Sequence, residues 1–298
     1  MPVNQIKEIL EENKENLAFI IGNGINRFPD NPESRSWDNL LMALWRQVSK
    51  RQLNYRPAGI STTEFYDVLE LENNQHINLQ ESFCRLMADW KPGAHHKLIT
   101  QKIKSFNAPL LTTNFEETIA SAIDFKLFRT EKDGFTDFYP WTTYHGEKQL
   151  KSPEDGFGIW YINGMIKYSR SIRLGLTHYM GSVSRARDMM HKGHKRSLFN
   201  NKKQSHWKGQ KTWLHVLFYK ALFIFGLGLD ENETFLRWLL IERSKYFRQF
   251  PRRKQSGWYL TKNTGDLRDE GKKFFLEKVG IKVIEVNRFE DIYESIWL

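Results

Sequence analysis

The stretch that indicates the fold of this chain is Phe19-Ile20-Ile21-Gly22-Asn23-Gly24-Ile25-Asn26-Arg27. Its apolar run predicts a buried strand of a parallel sheet, and a Gly-x-Gly turn follows directly. Such a turn lets backbone N–H groups approach a phosphate closely. The third glycine of the dinucleotide-binding fingerprint is missing, so an ordinary strand-to-loop turn is an equally good interpretation until other segments are considered.

The composition indicates a globular chain that folds in a reducing compartment. Its 298 residues, 40% of them apolar, suffice for one large α/β domain or two small ones. We expect neither a transmembrane helix, which needs about 20 consecutive apolar residues, nor a membrane partner. The N-terminus lacks the apolar core of a secretory signal. Because Cys84 is the single cysteine, no intramolecular disulfide or multi-cysteine zinc site can form, and a cytoplasmic location without a metal is expected.

The charge is strongly basic and unevenly distributed. The formal net charge is +10, with a pI near 9.5. Lysine and arginine are concentrated in residues 181–212, where Asp188 is the single acid, and again from Lys245 to Lys254. No helix-turn-helix, zinc-finger or aromatic RNA-binding signature accompanies them. The two clusters therefore indicate either a solvated basic face or an anionic partner, which is nucleic acid, an acidic protein or a phosphorylated ligand.

Predicted strands alternate with predicted helices along the chain. The strand candidates are 17–22, 108–114, 158–164, 222–226, 256–260 and 282–286. Helices are predicted over 4–15, over 37–45 behind the N-cap Ser36, within 61–90, and from His95 onward. The alternation predicts an α/β fold: a doubly wound, mostly parallel Rossmann-like sheet with helical insertions. We expect a single domain over 1–298, with a helical insertion at about 55–100 and a basic excursion at about 180–212.

Four predicted strand ends carry glycine-rich or polar residues. They are Gly22-Asn23-Gly24-Ile25-Asn26, Thr112-Thr113-Asn114-Phe115-Glu116, Asn163-Gly164 and Gly226-Leu227-Gly228-Leu229-Asp230. Ligands of doubly wound folds bind beyond the carboxyl ends of the strands, so residues at these ends are the candidates for function. Each segment alone is consistent with an ordinary turn, and their combination indicates a common site.

In these motifs the chain resembles the sirtuin-like superfamily, and in particular the bacterial sirtuin-like domains of antiviral defence systems. The family's opening glycine motif matches residues 22–26, its Thr-(Thr/Gln)-Asn motif matches 112–114, and its late Gly-x-Gly motif matches 226–230. Its His-Gly motif falls on Asn163-Gly164, and the segment Ser171–Tyr179 is similar to the family's segment that follows. The resemblance runs from about residue 17 to the C-terminus. It implies binding of NAD and cleavage of the glycosidic bond to nicotinamide.

The resemblance also implies a set of site residues. Asn114, beside the nicotinamide ribose and positioning the water, and Asn163, holding a ribose hydroxyl, are the predicted catalytic residues. The predicted cofactor-binding residues are Gly22, Asn23, Gly24, Asn26, Arg27, Thr112, Thr113, Gly164, Gly226, Gly228 and Asp230. Of these, Gly22, Gly24 and Asn26 are expected near the pyrophosphate and ribose, and the last three at the adenosine. Arg27 suits either a phosphate or an exposed salt bridge.

The departure from the family lies at Asn163, where active members carry histidine. Imidazole accepts and returns a proton near neutral pH, whereas an amide forms hydrogen bonds without doing so. Loss of a general base typically costs about 10² to 10⁴ in rate. The nicotinamide ring of NAD is a positively charged pyridinium, which departs as a neutral molecule without taking up a proton. Cleavage could therefore continue at a reduced rate through positioning and electrostatics alone. His145-Gly146 offers an alternative alignment that restores the motif, whereas His178 and the pair His95-His96 are expected to be packing residues.

Three functions follow as hypotheses. The first is a cytoplasmic NAD hydrolase that releases nicotinamide and ADP-ribose in antiviral defence, as a homo-oligomer or with a partner defence protein. The second is a pseudoenzyme that binds NAD or ADP-ribose as a sensor or scaffold subunit. The third is a nucleic-acid-associated module that uses the basic segments. Protein deacylation is not expected, because the zinc module of sirtuin deacylases needs four cysteines and this chain has one.

Overall fold

The computed structural model describes residues 2–131, 139–193, 195–201, 203, 206–229 and 233–298. One eight-stranded sheet forms its centre. The strands are β1 (Leu17–Ile21), β2 (Leu110–Thr112), β3 (Lys126–Arg129), β4 (Thr143–Gly146), β5 (Ile159–Tyr161), β6 (Ala221–Phe225), β7 (Gly257–Lys262) and β8 (Lys282–Val286). Their order across the sheet is β3-β4-β5-β2-β1-β6-β7-β8.

Six of these strands are parallel neighbours, in the order β5-β2-β1-β6-β7-β8, and they correspond to the six predicted strands. Numbered along the chain, the six follow the Rossmann order 3-2-1-4-5-6. The order reverses between β1 and β6, where chain connections leave in opposite directions. The predicted doubly wound, Rossmann-like fold is therefore confirmed.

The strands on either side of this reversal are buried throughout. All five residues of β1 and all five of β6 are shielded from solvent, as expected for central parallel strands covered on both faces. The register joins Leu17 to Ala221 and Ile21 to Phe225, so the two strands end level with each other. The turns that follow them consequently meet.

Strands β3 and β4 were not predicted from the sequence. They pair antiparallel with each other, and β4 pairs antiparallel with β5 at that edge of the sheet. Each is four residues long, and β3 has a charged residue at both ends, so neither shows the apolar run by which the parallel strands were recognised.

Helices cover both faces of the sheet. They are α1 (Val3–Asn13), α2 (Gly24–Arg27), α3 (Trp37–Val48), α4 (Thr62–Glu72), α5 (Leu79–Met87), α6 (Ala94–Ser105), α7 (Thr118–Ser121), α8 (Leu176–His191), α9 (Leu214–Tyr219), α10 (Thr234–Gln249) and α11 (Leu267–Lys278). Residues of α8, α9, α10 and α11 share one apolar cluster with the sheet, and residues of α1, α6 and α7 share another. Among the described helices, none is long and apolar enough to cross a membrane.

A third apolar cluster joins α3, α4 and α5. The predicted cap of α3 is present, since the Ser36 hydroxyl accepts a hydrogen bond from the Asn39 N–H. Helix α4 begins at Thr62 behind a capping box, in which Ser61 and Glu64 satisfy each other's backbone N–H groups. These helices stand over the carboxyl ends of the strands and form one wall of the cavity described next.

Candidate functional site

A cavity of about 670 Å³ opens at the carboxyl ends of the parallel strands, across the reversal between β1 and β6. Its size lies within the range of small-molecule sites. Five strand ends contribute side chains or backbone to its wall. These residues are Asn23, Gly24, Arg27, Thr113, Phe115, Asn163, Gly226, Leu227, Gly228 and Tyr259–Lys262. The position is the one at which doubly wound folds bind ligands.

The two glycine turns of this wall pack directly against each other. The Gly24 N–H donates to the Gly226 carbonyl at 2.6 Å, and the Gly22 N–H donates to the Phe225 carbonyl at 3.1 Å. A Cβ on Gly22 would lie 2.3 Å from Leu227 Cβ, and one on Gly24 would lie 2.2 Å from the Tyr293 hydroxyl. Contact between the turns therefore explains these glycines. Gly24 faces the cavity, whereas Gly22 lies outside its lining.

Two tyrosines from later in the chain support the turns. The Tyr259 hydroxyl donates to the Leu227 carbonyl at 2.7 Å. Tyr293, in a single π-helical turn at Asp291–Ser295, packs beneath Gly24, and burial raises the pKa of its hydroxyl. Both tyrosines also line the cavity. The C-terminal segment thus contributes to the site, whereas the last site residue predicted from the sequence is Asp230.

Behind the first glycine turn lies a buried polar network centred on Asn26. Its amide donates to Glu116 Oε1 at 2.5 Å and to Asn23 Oδ1 at 3.0 Å, and its Oδ1 accepts from the Thr118 hydroxyl at 3.0 Å. Burial raises the pKa of Glu116, although the hydrogen bonds from Asn26 and Thr118 oppose this shift. Asn26 is fully buried and lies outside the cavity lining, so it supports the turn that was predicted to contact the ligand.

Histidines 95 and 96 join this network, as their predicted packing role implies. His96 Nδ1 accepts from the Gly93 N–H at 3.0 Å, so its Nε2 carries the proton and donates to Asn26 Oδ1 at 3.1 Å. Burial lowers the pKa of His96 to about 3, and burial likewise lowers the pKa of His95. The His95 Nε2–H donates to the Ile25 carbonyl at 2.7 Å. Both rings are neutral at physiological pH.

Asn114 lies behind the cavity wall rather than on it. The side chain is fully buried, and neither of its polar atoms has a hydrogen-bond partner among the described residues. Its neighbours Thr113 and Phe115 line the cavity, but Asn114 does not. The role of Asn114 beside the nicotinamide ribose stays a prediction. Thr112 is also set back, with its hydroxyl bonded to the Ile21 carbonyl at 2.9 Å.

Asn163 lies on the cavity wall with a defined orientation. Its Nδ2 donates to the Thr113 carbonyl at 3.1 Å, which leaves Oδ1 as the acceptor. Gly164 follows with a φ of +97°, and a Cβ there would lie 2.2 Å from the Ser171 carbonyl oxygen. Arg173 N–H in turn donates to the Asn163 carbonyl at 2.8 Å. The Asn163-Gly164 turn is thus locked by close packing, with Gly164 itself outside the cavity lining.

Positive charge dominates the described part of the lining. Five cationic side chains and two carboxylates contribute to it, and they are Arg27, Arg56, Arg173, Lys262 and Lys272 with Asp38 and Glu233. Arg56 is paired with Asp38 at 2.6 Å, and Lys272 with Asp269 at 2.6 Å. The Nε of Arg27 is buried without a hydrogen-bond partner among the described residues. Such a surface favours an anionic ligand.

None of the described lining residues is a histidine. His145, the alternative to Asn163, lies on β4 with its Nε2 3.8 Å from Glu117 Oε1, and burial lowers its pKa to about 4. His178 caps the start of α8, where its Nδ1 accepts from the Gly175 N–H at 3.4 Å, and burial lowers its pKa to about 4. His178 is therefore a packing residue, and neither ring faces the cavity.

The structure thus brings together seven of the predicted site residues: Asn23, Gly24, Arg27, Thr113, Asn163, Gly226 and Gly228. Asp230 lies outside the described residues. Lining residues that the sequence analysis did not assign include Arg173, Tyr179, Glu233 and Lys262. The first two belong to the segment that resembles the family, and Lys262 lies two residues beyond the predicted strand 256–260. Their positions in the sequence after predicted strand ends were the signal by which these lining residues could have been predicted.

Comparison with known proteins identifies no relative: no protein-family model matches the chain, and no curated protein matches it.

Proposed function

We propose that this protein binds NAD, or its product ADP-ribose, in the cavity at the β1/β6 reversal, and hydrolyses NAD slowly to nicotinamide and ADP-ribose. One observation carries the proposal: two interlocked glycine turns, Asn163 and Arg27, whose Nε is buried, meet at one cationic cavity. A dinucleotide pyrophosphate is the kind of anion that this lining favours. The resemblance in sequence motifs supports the choice of NAD.

In this proposal the chain contributes positioning and charge. Arg27 binds a phosphate, and Asn163 Oδ1 accepts a hydrogen bond from a ribose hydroxyl. The bond between ribose C1′ and the nicotinamide nitrogen breaks, and its electron pair leaves with neutral nicotinamide. A water oxygen then bonds to C1′ and loses a proton to Glu233, a carboxylate of the cavity lining. The slow rate follows from the absence of histidine among the described lining residues.

That same absence favours a second candidate, in which the protein binds NAD or ADP-ribose as a sensor or scaffold subunit without turning it over. For either candidate we propose a cytoplasmic role in antiviral defence, in a homo-oligomer or with a partner defence protein.

The test measures binding and turnover separately. Calorimetry gives the affinity for NAD and ADP-ribose, and chromatography follows nicotinamide release by the wild type, Asn163→Ala and Asn163→His. Asn163→His is expected to raise the rate by about 10² or more, because it restores a base near neutral pH. Asn200→His, at an exposed asparagine, is the matched control.

The outcomes separate the candidates. Nicotinamide release that is weakened by Asn163→Ala supports the hydrolase. Binding without release in the wild type supports the sensor, and a gain with Asn163→His then shows that the base alone is missing. If neither NAD nor ADP-ribose binds at millimolar concentration, both candidates are wrong.

A further inference from the structure

The two basic clusters of the sequence come together at one surface in the fold. His191 Nε2 lies 2.7 Å from Glu242 Oε2, so the end of α8 contacts the middle of α10. Further along, the Gln249 amide donates to the Phe199 carbonyl at 2.9 Å, and the rings of Phe199 and Tyr246 pack with centroids 5.6 Å apart. His191 and Phe199 therefore lie beside the C-terminal half of α10.

We define the basic face as the exposed cations of these two segments. They are Arg185, Arg187, Lys192, Lys195, Arg196, Lys203, Lys208, Lys245, Arg248, Arg252 and Lys254. The acids beside them are already engaged: Asp188 pairs with Lys192 at 2.8 Å, and the buried Glu242 contacts His191 and Lys245. Within the described residues, the face therefore carries a large excess of positive charge.

Stabilisation of helix C-termini by cations accounts for part of this charge. Lys192 follows the C-terminus of α8, and Arg248 lies in the last turn of α10, where a cation offsets the helix dipole. Lys195, Arg196, Lys203 and Lys208 lie in turns beyond α8 and gain nothing from a helix end. Their convergence on the same surface indicates a polyanionic partner.

The side chains of the basic face also indicate which polyanion fits. Of the described residues in 181–212 and 244–254, none is a large exposed hydrophobic side chain. Insertion into a membrane interface uses such apolar groups, and binding of single strands uses aromatic rings that stack on bases. Met180 and Ile241, both exposed, lie just outside these segments in α8 and α10, and the hydrated cationic surface itself instead suits the phosphate backbone of a duplex.

The basic face lies apart from the cavity. Tyr179, near the start of α8, and Glu233, just before α10, line the cavity, whereas both helices end at the basic face. Each helix has 16 residues and is thus about 24 Å long. A polyanion on the basic face therefore leaves the cavity open.

We propose that the basic face binds duplex nucleic acid through its backbone phosphates, without reading base sequence. This inference does not rest on the proposed function of the cavity. It assigns the excess positive charge to a second site at the amino-terminal side of the sheet.

The test is fluorescence anisotropy with a labelled 24-base-pair duplex at several salt concentrations between 50 and 200 mM. The variant Arg196→Gln/Arg248→Gln/Arg252→Gln removes three exposed cations of the face, none of which has a described ion pair. The matched control, Arg46→Gln/Lys50→Gln/Arg51→Gln, removes three exposed cations around the end of α3 and gives the same net charge. Thermal unfolding and circular dichroism confirm that each variant is folded.

We expect the basic-face variant to bind the duplex about tenfold more weakly at 100 mM salt, and its slope of log affinity against log salt to fall by about 2.7, or 0.9 for each lost phosphate contact. The control is expected to stay within about twofold of the wild type. Equal losses of duplex affinity in both variants would show that binding depends on net charge alone, and would overturn the proposal. Absence of duplex binding by the wild type at 50 mM salt, including the case in which it binds anionic vesicles instead, would overturn it as well.

Discussion

The turns after β1 and β6 and the turn after β2 differ in how far their small and polar residues reach the cavity. All three carry the small or polar residues from which a ligand site was predicted. The first two meet at the cavity, with Gly24 and Gly226 on its wall, whereas Asn114 and Glu116 after β2 are fully buried. A polar residue at the carboxyl end of a strand therefore serves either as a ligand contact or as internal support, and the neighbouring elements decide which.

The largest effect is expected from Gly22→Ala, which tests whether the two glycine turns need their close contact. The new Cβ would lie 2.3 Å from Leu227 Cβ and 2.7 Å from the Gly226 carbonyl oxygen. Because both are constrained backbone neighbours, we expect the free energy of unfolding to fall by about 3 kcal/mol or more, measured by urea denaturation.

Gly181→Ala is the matched control. Gly181 lies within α8, and a Cβ there meets nothing within 4 Å, so the substitution is expected to stabilise the protein by about 0.5–1 kcal/mol. Equal effects of the two substitutions would show that the turns can separate.

The buried network behind the turns is tested by pH. With a pKa of about 3 in the fold against an ordinary value of 6.5, His96 stays neutral in the folded protein while the unfolded chain takes up a proton. Its contribution to stability is therefore complete above pH 6.5 and is lost as the pH falls towards 3, by about 1.4 kcal/mol per unit. His96→Gln, which keeps a donor for Asn26, is expected to flatten this dependence in denaturation curves.

Other groups shape the same curve. The lowered pKa values of His145 and His178 act in the same direction, and the raised pKa of Glu116 acts in the opposite one, so the difference between variant and wild type is the measure. His76→Asn, at an exposed histidine with a φ of 53°, is the control. An unchanged slope in His96→Gln would contradict the buried position of this ring.

A smaller effect distinguishes the two asparagines. Asn163→Ala removes an acceptor on the cavity wall and is expected to weaken ADP-ribose binding about tenfold, the value of one hydrogen bond. Asn114→Ala removes an amide behind the wall and is expected to change the affinity by less than about threefold. Titration calorimetry measures both. A larger loss for Asn114→Ala would restore the role that the sequence resemblance implies for it.

The smallest effect is expected from Tyr259→Phe. The substitution removes the hydrogen bond to the Leu227 carbonyl and leaves the ring in place, so the loss of stability should be about 1 kcal/mol in urea denaturation. Tyr55→Phe, at an exposed side chain, is expected to change nothing measurable. A loss much larger than this in Tyr259→Phe would mean that the second glycine turn depends on the tyrosine rather than on the first turn.

The parallel core was predictable because its strands are continuous apolar runs. Leu17–Ile21 and Ala221–Phe225 are buried on both faces, which leaves a strong local pattern. The pair β3 and β4 was missed since short edge strands carry few apolar residues, and their pairing joins Lys126–Arg129 with the distant Thr143–Gly146. Of the site, the strand-end glycines and Asn163 were predictable, whereas Tyr293 is brought there from the C-terminus by packing.

The amino-acid sequence by itself determined the six parallel strands, the order of strand-end turns and the two clusters of positive charge, because each is a property of neighbouring residues. The tertiary structure alone decided which turns open on a cavity and which are buried, since that depends on strand order and on the helices above. It also decided that His191 and Phe199 lie beside α10, which brings the two basic clusters together. Contacts between distant segments leave no local pattern, and both proposed sites depend on such contacts.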